Sequence, residues 1–130
     1  MLRYICAALA ALTSANVSKA ADDWPTKQIT LVVGFAAGGN TDLAARILAN
    51  SMKQSLPVPV VVENKAGAGG TVGAAYVSKA AADGTTLLVA SQSETTMAKA
   101  NRVKPRYDID KDFTPIAKLM DQDYVLVVPA

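Results

Sequence analysis

The sequence predicts an α/β domain built on a mainly parallel open sheet with flanking helices. Two observations predict it. Short apolar runs rich in β-branched residues alternate with segments of helical period. A glycine-rich loop follows each of the first two such runs and leads into a helix, the place where open α/β sheets bind ligands.

The first twenty residues stand apart. "MLRY" carries Arg3, "ICAALAAL" supplies an apolar run from Ile5 to Leu12, and "SKA" ends in small residues at Ser18 and Ala20. That order is a secretory signal peptide with its cut after Ala20. The apolar run is too short to span a bilayer. The lone Cys6 leaves with it, so residues 21–130 form a single domain without a disulfide. Arg3 and Lys19 also leave, and 13 − 2 = 11 basic residues then balance 11 acidic ones. Balanced charge indicates neither a nucleic acid nor an anionic membrane surface as partner. No later segment is apolar over enough length to insert in a membrane.

"ITLVV", Ile29 to Val33, reads as a buried strand. "GFAAGGNTD", Gly34 to Asp42, follows and holds three of the eight glycines. In "LAARILANSMKQSL" Leu43, Ile47 and Leu48 share a helical face that Met52 and Leu56 continue. Asn40 or Thr41 suits the N-cap, with Asp42 in the first turn, where negative charge is favoured. A second strand is read over Val58 to Val62, with Pro57 and Pro59 at its start. "KAGAGG" is the second glycine loop, and "TVGAAYVSKAA" the second helix, with Val72, Tyr76 and Ala80 on one face. Asp83-Gly84 marks a turn, "TTLLVAS" a third strand, and "SETTMAKAN" a short helix capped by Ser93. "KPRYDIDKD" reads as a solvated loop, "FTPIAKLM" as weakly ordered, and "YVLVV" as a last strand. Trp24 covers the start of the sheet.

The three loops after the strands, including "SQS", fall on one edge of the sheet. Glycines permit positive φ and close approach of the backbone. A helix N-terminus adds unsatisfied N–H groups and partial positive charge. The combination suits a carboxylate or phosphate, or else a tight strand-to-helix turn alone. Asp42 already occupies the favourable field, so it serves to cap the helix or to meet a water, hydroxyl or ammonium. Nucleotide readings fail on residues. "GGNTD" lacks the lysine of a phosphate loop, and "GAGGTVG" places Val72 where a dinucleotide loop needs its third glycine. Catalysis is poorly served, with no histidine in the chain, no cysteine after the signal and no G-x-S-x-G turn. Metal sites lack their usual soft ligands, so neither metal nor cofactor is expected. Glu63 reads as solvated or paired with lysine. The inventory fits binding without covalent chemistry.

Four stretches carry a resemblance: "WPTKQITLVVGFAAGGNTDLAARILA", "VVVENKAGAGGTVGA", "AADGTTLLVAS" and "YDIDKDFTPIAKL". In order and spacing the chain resembles the Bug proteins, periplasmic substrate-binding components of tripartite tricarboxylate transporters, from Trp24 to Ala130. The resemblance implies a two-lobed, hinged fold of the type 2 periplasmic-binding class that closes on a small carboxylated solute, a di- or tricarboxylate or similar acid. It implies no enzyme activity. The partners it implies are that solute and the transporter's membrane components. Residues 21–130 correspond to the first lobe, halting near the hinge with the second lobe missing, so carboxylate binding is expected to be weak or lost. A secreted interaction or sensor module is the alternative reading.

Carried over from the family, the substrate-binding residues are Phe35, Ala37, Gly38, Gly39, Thr41 and Asp42 in the first loop. The second loop supplies Asn64, Gly67, Ala68, Gly69 and Gly70, and Ser91 and Ser93 follow the third strand. The family often has proline where Gly34, Ala36 and Ala66 stand here, which implies less rigid loops.

Overall fold

The structure is a computed structural model that describes residues 24–100, 104–123 and 125–129. The segment expected to be a signal peptide, with Cys6, lies outside the described residues. Three parallel strands form the sheet: β1 (Ile29–Val33), β2 (Val60–Asn64) and β3 (Thr86–Val89), in the order β2-β1-β3. β1 pairs from Ile29↔Val60 to Val33↔Asn64 on one side and from Thr30↔Thr86 to Val33↔Val89 on the other. The central strand is therefore hydrogen-bonded along both edges, and Ile29, Leu31, Val32 and Val33 are fully buried. Burying such an aliphatic side chain contributes about 1.5–3 kcal/mol.

β2 starts two residues later than the sequence predicts. Pro59 has no N–H for the ladder, and its carbonyl instead accepts from Ile29 N–H at 2.9 Å, so pairing starts at Val60. β3 is likewise trimmed to four residues.

Helix α1 (Asn40–Ser55) covers one face of the sheet. Its buried stripe is Asp42, Ala45 and Ala49, with Leu48, Met52 and Leu56 packed beside it. Leu43 and Ile47 are instead 59% and 60% exposed, which corrects the expected face. The small alanines let the helix lie close on Ile29, Leu31 and Val33.

Helix α2 (Thr71–Val77) is shorter than predicted and buries Gly73 and Ala74, leaving Val72 and Tyr76 exposed. Close approach decides this: a Cβ on Gly73 would lie 2.9 Å from Gly34 Cα. A π-helical turn, Ser93–Met97, runs into one short α-helical turn, Ala98–Ala100. Gln92 stands at the cap position, with no side-chain cap bond, so Ser93 is not the cap.

The stretch 104–112 is a loop, yet it is only partly solvated. Tyr107 is buried, packs edge-to-face on Phe113 at 5.7 Å, and donates its hydroxyl to Glu94 O at 2.6 Å. Burial and the nearby Glu94 raise the Tyr107 pKa. With Ala74, Ala98, Leu88 and Ile109 it forms a second core on the other face of the sheet. Asp83 and Gly84 make the predicted turn: Gly84 has φ +78°, and Asp83 Oδ1 accepts from Thr85 N–H and Oγ–H. Trp24 lies over Gly84 and donates Nε1–H to Asp83 O at 2.9 Å, though half of it stays exposed.

Among the described residues the predicted last strand does not form. Val125 to Val128 have no regular secondary structure and are 79% to 94% exposed. A strand is stable only beside a hydrogen-bonding neighbour, and none of the described residues provides one.

Candidate functional site

The first loop, Gly34 to Gly39, leaves the carboxyl end of β1 and turns into α1. Gly39, not Asn40 or Thr41, occupies the N-cap position, and no side chain caps the helix there. Asp42 does related work one turn in. It is 2% exposed, and its Oδ2 accepts the Gly38 N–H at 2.9 Å. Arg46, one turn further along the same helix face, donates Nε–H to Oδ2 at 2.8 Å and Nη2–H to Oδ1 at 3.0 Å. Asn64, at the end of β2, donates its Nδ2–H to Asp42 Oδ1 at 2.9 Å and to Phe35 O at 3.0 Å.

Four donor groups on three chain segments thus converge on one buried carboxylate or its loop. The fork from Arg46, then Gly38 N–H and Asn64, hold the Asp42 carboxyl well below the usual carboxylate range, against the opposing effect of burial. Asp42 is the anion of this loop already, and it fixes the loop on β2.

The second loop is anchored by Lys65 N–H, which donates to Val33 O at 2.8 Å. Four consecutive residues then have positive φ: Gly67 (+148°), Ala68 (+47°), Gly69 (+65°) and Gly70 (+91°). Three are glycine, for which this region carries no steric cost. Ala68 is not, and a non-glycine residue held there stores strain of order 1 kcal/mol or more. Gly70 N–H and the Thr71 hydroxyl close the turn onto Gly67 O and Ala68 O, both at 2.9 Å. Beside it Lys65 pairs with Glu63 at 2.6 Å and lies 4.0 Å over the Tyr76 ring, so Glu63 is the lysine-paired carboxylate the sequence suggests. Tyr76 is half-exposed under this cation.

The third loop differs. Ser91 turns both its donors inward: N–H and Oγ–H go to Glu94 Oε2 at 3.0 and 2.5 Å. Ser93 N–H donates back to Ser91 Oγ at 3.2 Å. Glu94 is fully buried. Its side chain lies where a Cβ on Gly70 would be (2.5 Å from Cδ), and its Oε1 is 2.8 Å from where a Cβ on Gly34 would be.

The structure therefore gathers the three predicted loops at the carboxyl edge of the sheet. Asn64 joins the first to the second, and Glu94 joins the third to both. They do not line one cavity. Ala68, Gly69 and Ser93 face a groove of about 940 Å³ with Tyr76, Met97 and Arg106, while Thr41 and Ser91 face a separate concavity. Sequence reasoning missed Arg46 and the organising place of Glu94. Arg46 was legible, four residues after Asp42. Glu94 carried a local signal, the Ser91-x-x-Glu94 spacing of a capping box, but nothing local placed its carboxylate against Gly34 and Gly70. Among the described residues, no group of three or more His, Cys, Asp or Glu could hold a metal, and no helix is long and apolar enough to cross a membrane.

Residues 44–130 match the family described as tripartite tricarboxylate transporter family receptor. The chain belongs to that family. Among curated relatives, Protein BugT of Bordetella pertussis is 42% identical over 109 residues, covering 82% of this chain and 33% of its own length. A UPF0065 protein from the tcbD-tcbE intergenic region of Pseudomonas sp. strain P51 is 41% identical over 125 residues, covering 95% and 36%. The chain spans about a third of the length of these relatives. Of the solved structures, MatC from Rhodopseudomonas palustris with bound malate superposes with a TM-score of 0.70 at 45% identity, covering 74% of this chain and 33% of that one.

The parallel sheet with flanking helices thus matches one lobe of the two-lobed fold of this receptor family. The family match itself begins at Ala44, after the first loop, whereas the Pseudomonas relative covers nearly the whole chain.

Proposed function

We propose that this member of the receptor family captures a small carboxylated solute for a tripartite tricarboxylate transporter, in the periplasm, after export on the signal peptide of residues 1–20. It binds and does not convert. The observation that carries the reading is the coupled pair of glycine loops at the carboxyl ends of β1 and β2. The Asp42–Asn64 bond locks the pair, and the N-terminus of α1 presents backbone N–H groups there. The malate bound to MatC supports the same ligand class.

The grip consists of Phe35, Ala37, Gly38 and Gly39 from the first loop and Gly67, Ala68, Gly69 and Gly70 from the second, with Thr41 beside it on the concavity that it shares with Ser91. Asp42 and Asn64 shape it from behind. The Gly38 N–H is spent on Asp42, so Gly38 contributes conformation, with φ +89°, and no donor.

In these 130 residues the loops lie on an open face, where hydrogen bonds compete with water. Binding by the chain alone is therefore weak, on the order of millimolar. Nuclear magnetic resonance titration with malate and adipate, against glycerol as a neutral control, tests this. Saturable shifts with the acids only are expected. Equal response to glycerol, or no response to either acid, overturns carboxylate capture. Sub-micromolar affinity overturns the open face.

A further inference from the structure

We propose that Glu94 is the positioning residue of this site: an internal carboxylate that occupies the third loop's donors and wedges the first two loops into register. A solute carboxylate is then held by the first two loops alone. The inference rests on the carboxylate-binding reading above and goes beyond it by giving the buried Glu94 side chain a part in shaping the site.

Three observations carry it. Ser91 offers an N–H and an O–H at the end of β3, the pair an incoming anion would use, and both already go to Glu94 Oε2. That side chain is fully buried, and its Oε1 has no hydrogen-bond partner among the described residues. Instead Oε1 lies against Gly34 and Gly70, one from each of the other loops, in space that any side chain at those positions would take. An oxygen so placed meets Cα–H groups, which interact weakly, so its position is set by the packing of all three loops. The backbone of Glu94 is fixed independently, since Tyr107 donates its hydroxyl to Glu94 O. A buried carboxylate anchored at both ends is an internal stand-in for a bound anion at the third loop.

Removing the side chain should turn that loop into an anion site. E94A frees both Ser91 donors and leaves a hole the size of a small carboxylate. Formate is the probe. In E94A, formate at tens of millimolar is expected to raise the thermal midpoint and shift the Ser91 amide signal. In the unaltered chain and in E94Q, which keeps the shape and an acceptor, formate should do neither. Equal formate response in all three proteins, or none in a folded E94A, overturns the proposal. If E94A does not fold, the unaltered chain still decides. Malate should shift amides of residues 36–41 and 67–71 and leave Ser91 in place, and a Ser91 shift as large as theirs overturns the proposal. Absence of malate shifts in any loop fails the carboxylate reading alone, because the formate response of E94A does not depend on it.

Discussion

Two buried carboxylates lie on the same edge of the sheet and are satisfied in opposite ways. Asp42 is met by a guanidinium, a backbone N–H and an amide, and its pKa is lowered accordingly. Glu94 is more deeply buried, has no cation on its carboxylate, and leaves one oxygen against glycine Cα atoms. Asp42 therefore acts through strong bonds that tie loop to loop, Glu94 through volume and through Ser91. A bonded carboxylate is sensitive to loss of charge. A wedged one is sensitive to any atom added beside it.

The largest expected effect attacks the wedge. In G70A the new Cβ falls 2.5 Å from Glu94 Cδ, at a φ of +91°. Stability should fall by about 2 kcal/mol or more in denaturant unfolding. G70A/E94A should regain part of that loss, because the collision is with the removed side chain. Strict additivity of the two substitutions would break the wedge account.

D42N attacks the bonded carboxylate. The folded-state pKa of Asp42 is depressed, so its contribution is fully present above the unfolded-state value and fades as pH falls below it. D42N should therefore be least stable relative to the unaltered chain above about pH 4. The gap should narrow on acidification. Thermal unfolding from pH 7 down to 2 checks this, and a gap that widens toward acid would contradict it.

A68G should be the mildest and goes the other way. Ala68 holds a left-handed φ of +47° between two glycines, and releasing it should gain up to about 1 kcal/mol, partly offset by the freer unfolded chain. Calorimetric unfolding of the pair measures it. A clear loss would mean that the methyl group packs on something in the folded chain.

What was legible in the sequence follows from the range of the forces involved. β1 is read to the residue, because a short run of β-branched and apolar residues, four of its five buried, leaves one interpretation. The two glycine loops are read as loops and as neighbours of a ligand edge, because alternation with helices places them there. The first helix's face is read in part, with Leu48, Met52 and Leu56 against the core but Leu43 and Ile47 outside it, and the second helix's face is misread, because Gly73 and Ala74 rather than Val72 and Tyr76 face the sheet. Close approach to a sheet selects small residues, and periodicity of large ones does not report it. "YVLVV" is read as a strand on propensity alone, which supplies no pairing partner. The place of Glu94 depends on Gly34 and Gly70, 60 and 24 residues away, and no local pattern encodes such a contact.

The most direct test of the unequal loops is the structure of the 130-residue chain crystallised with malate. A malate carboxylate should lie on the backbone N–H groups of residues 39–41, 68 and 69, with Ser91 still bonded to Glu94. A carboxylate seated on Ser91, with Glu94 turned away, would contradict the account.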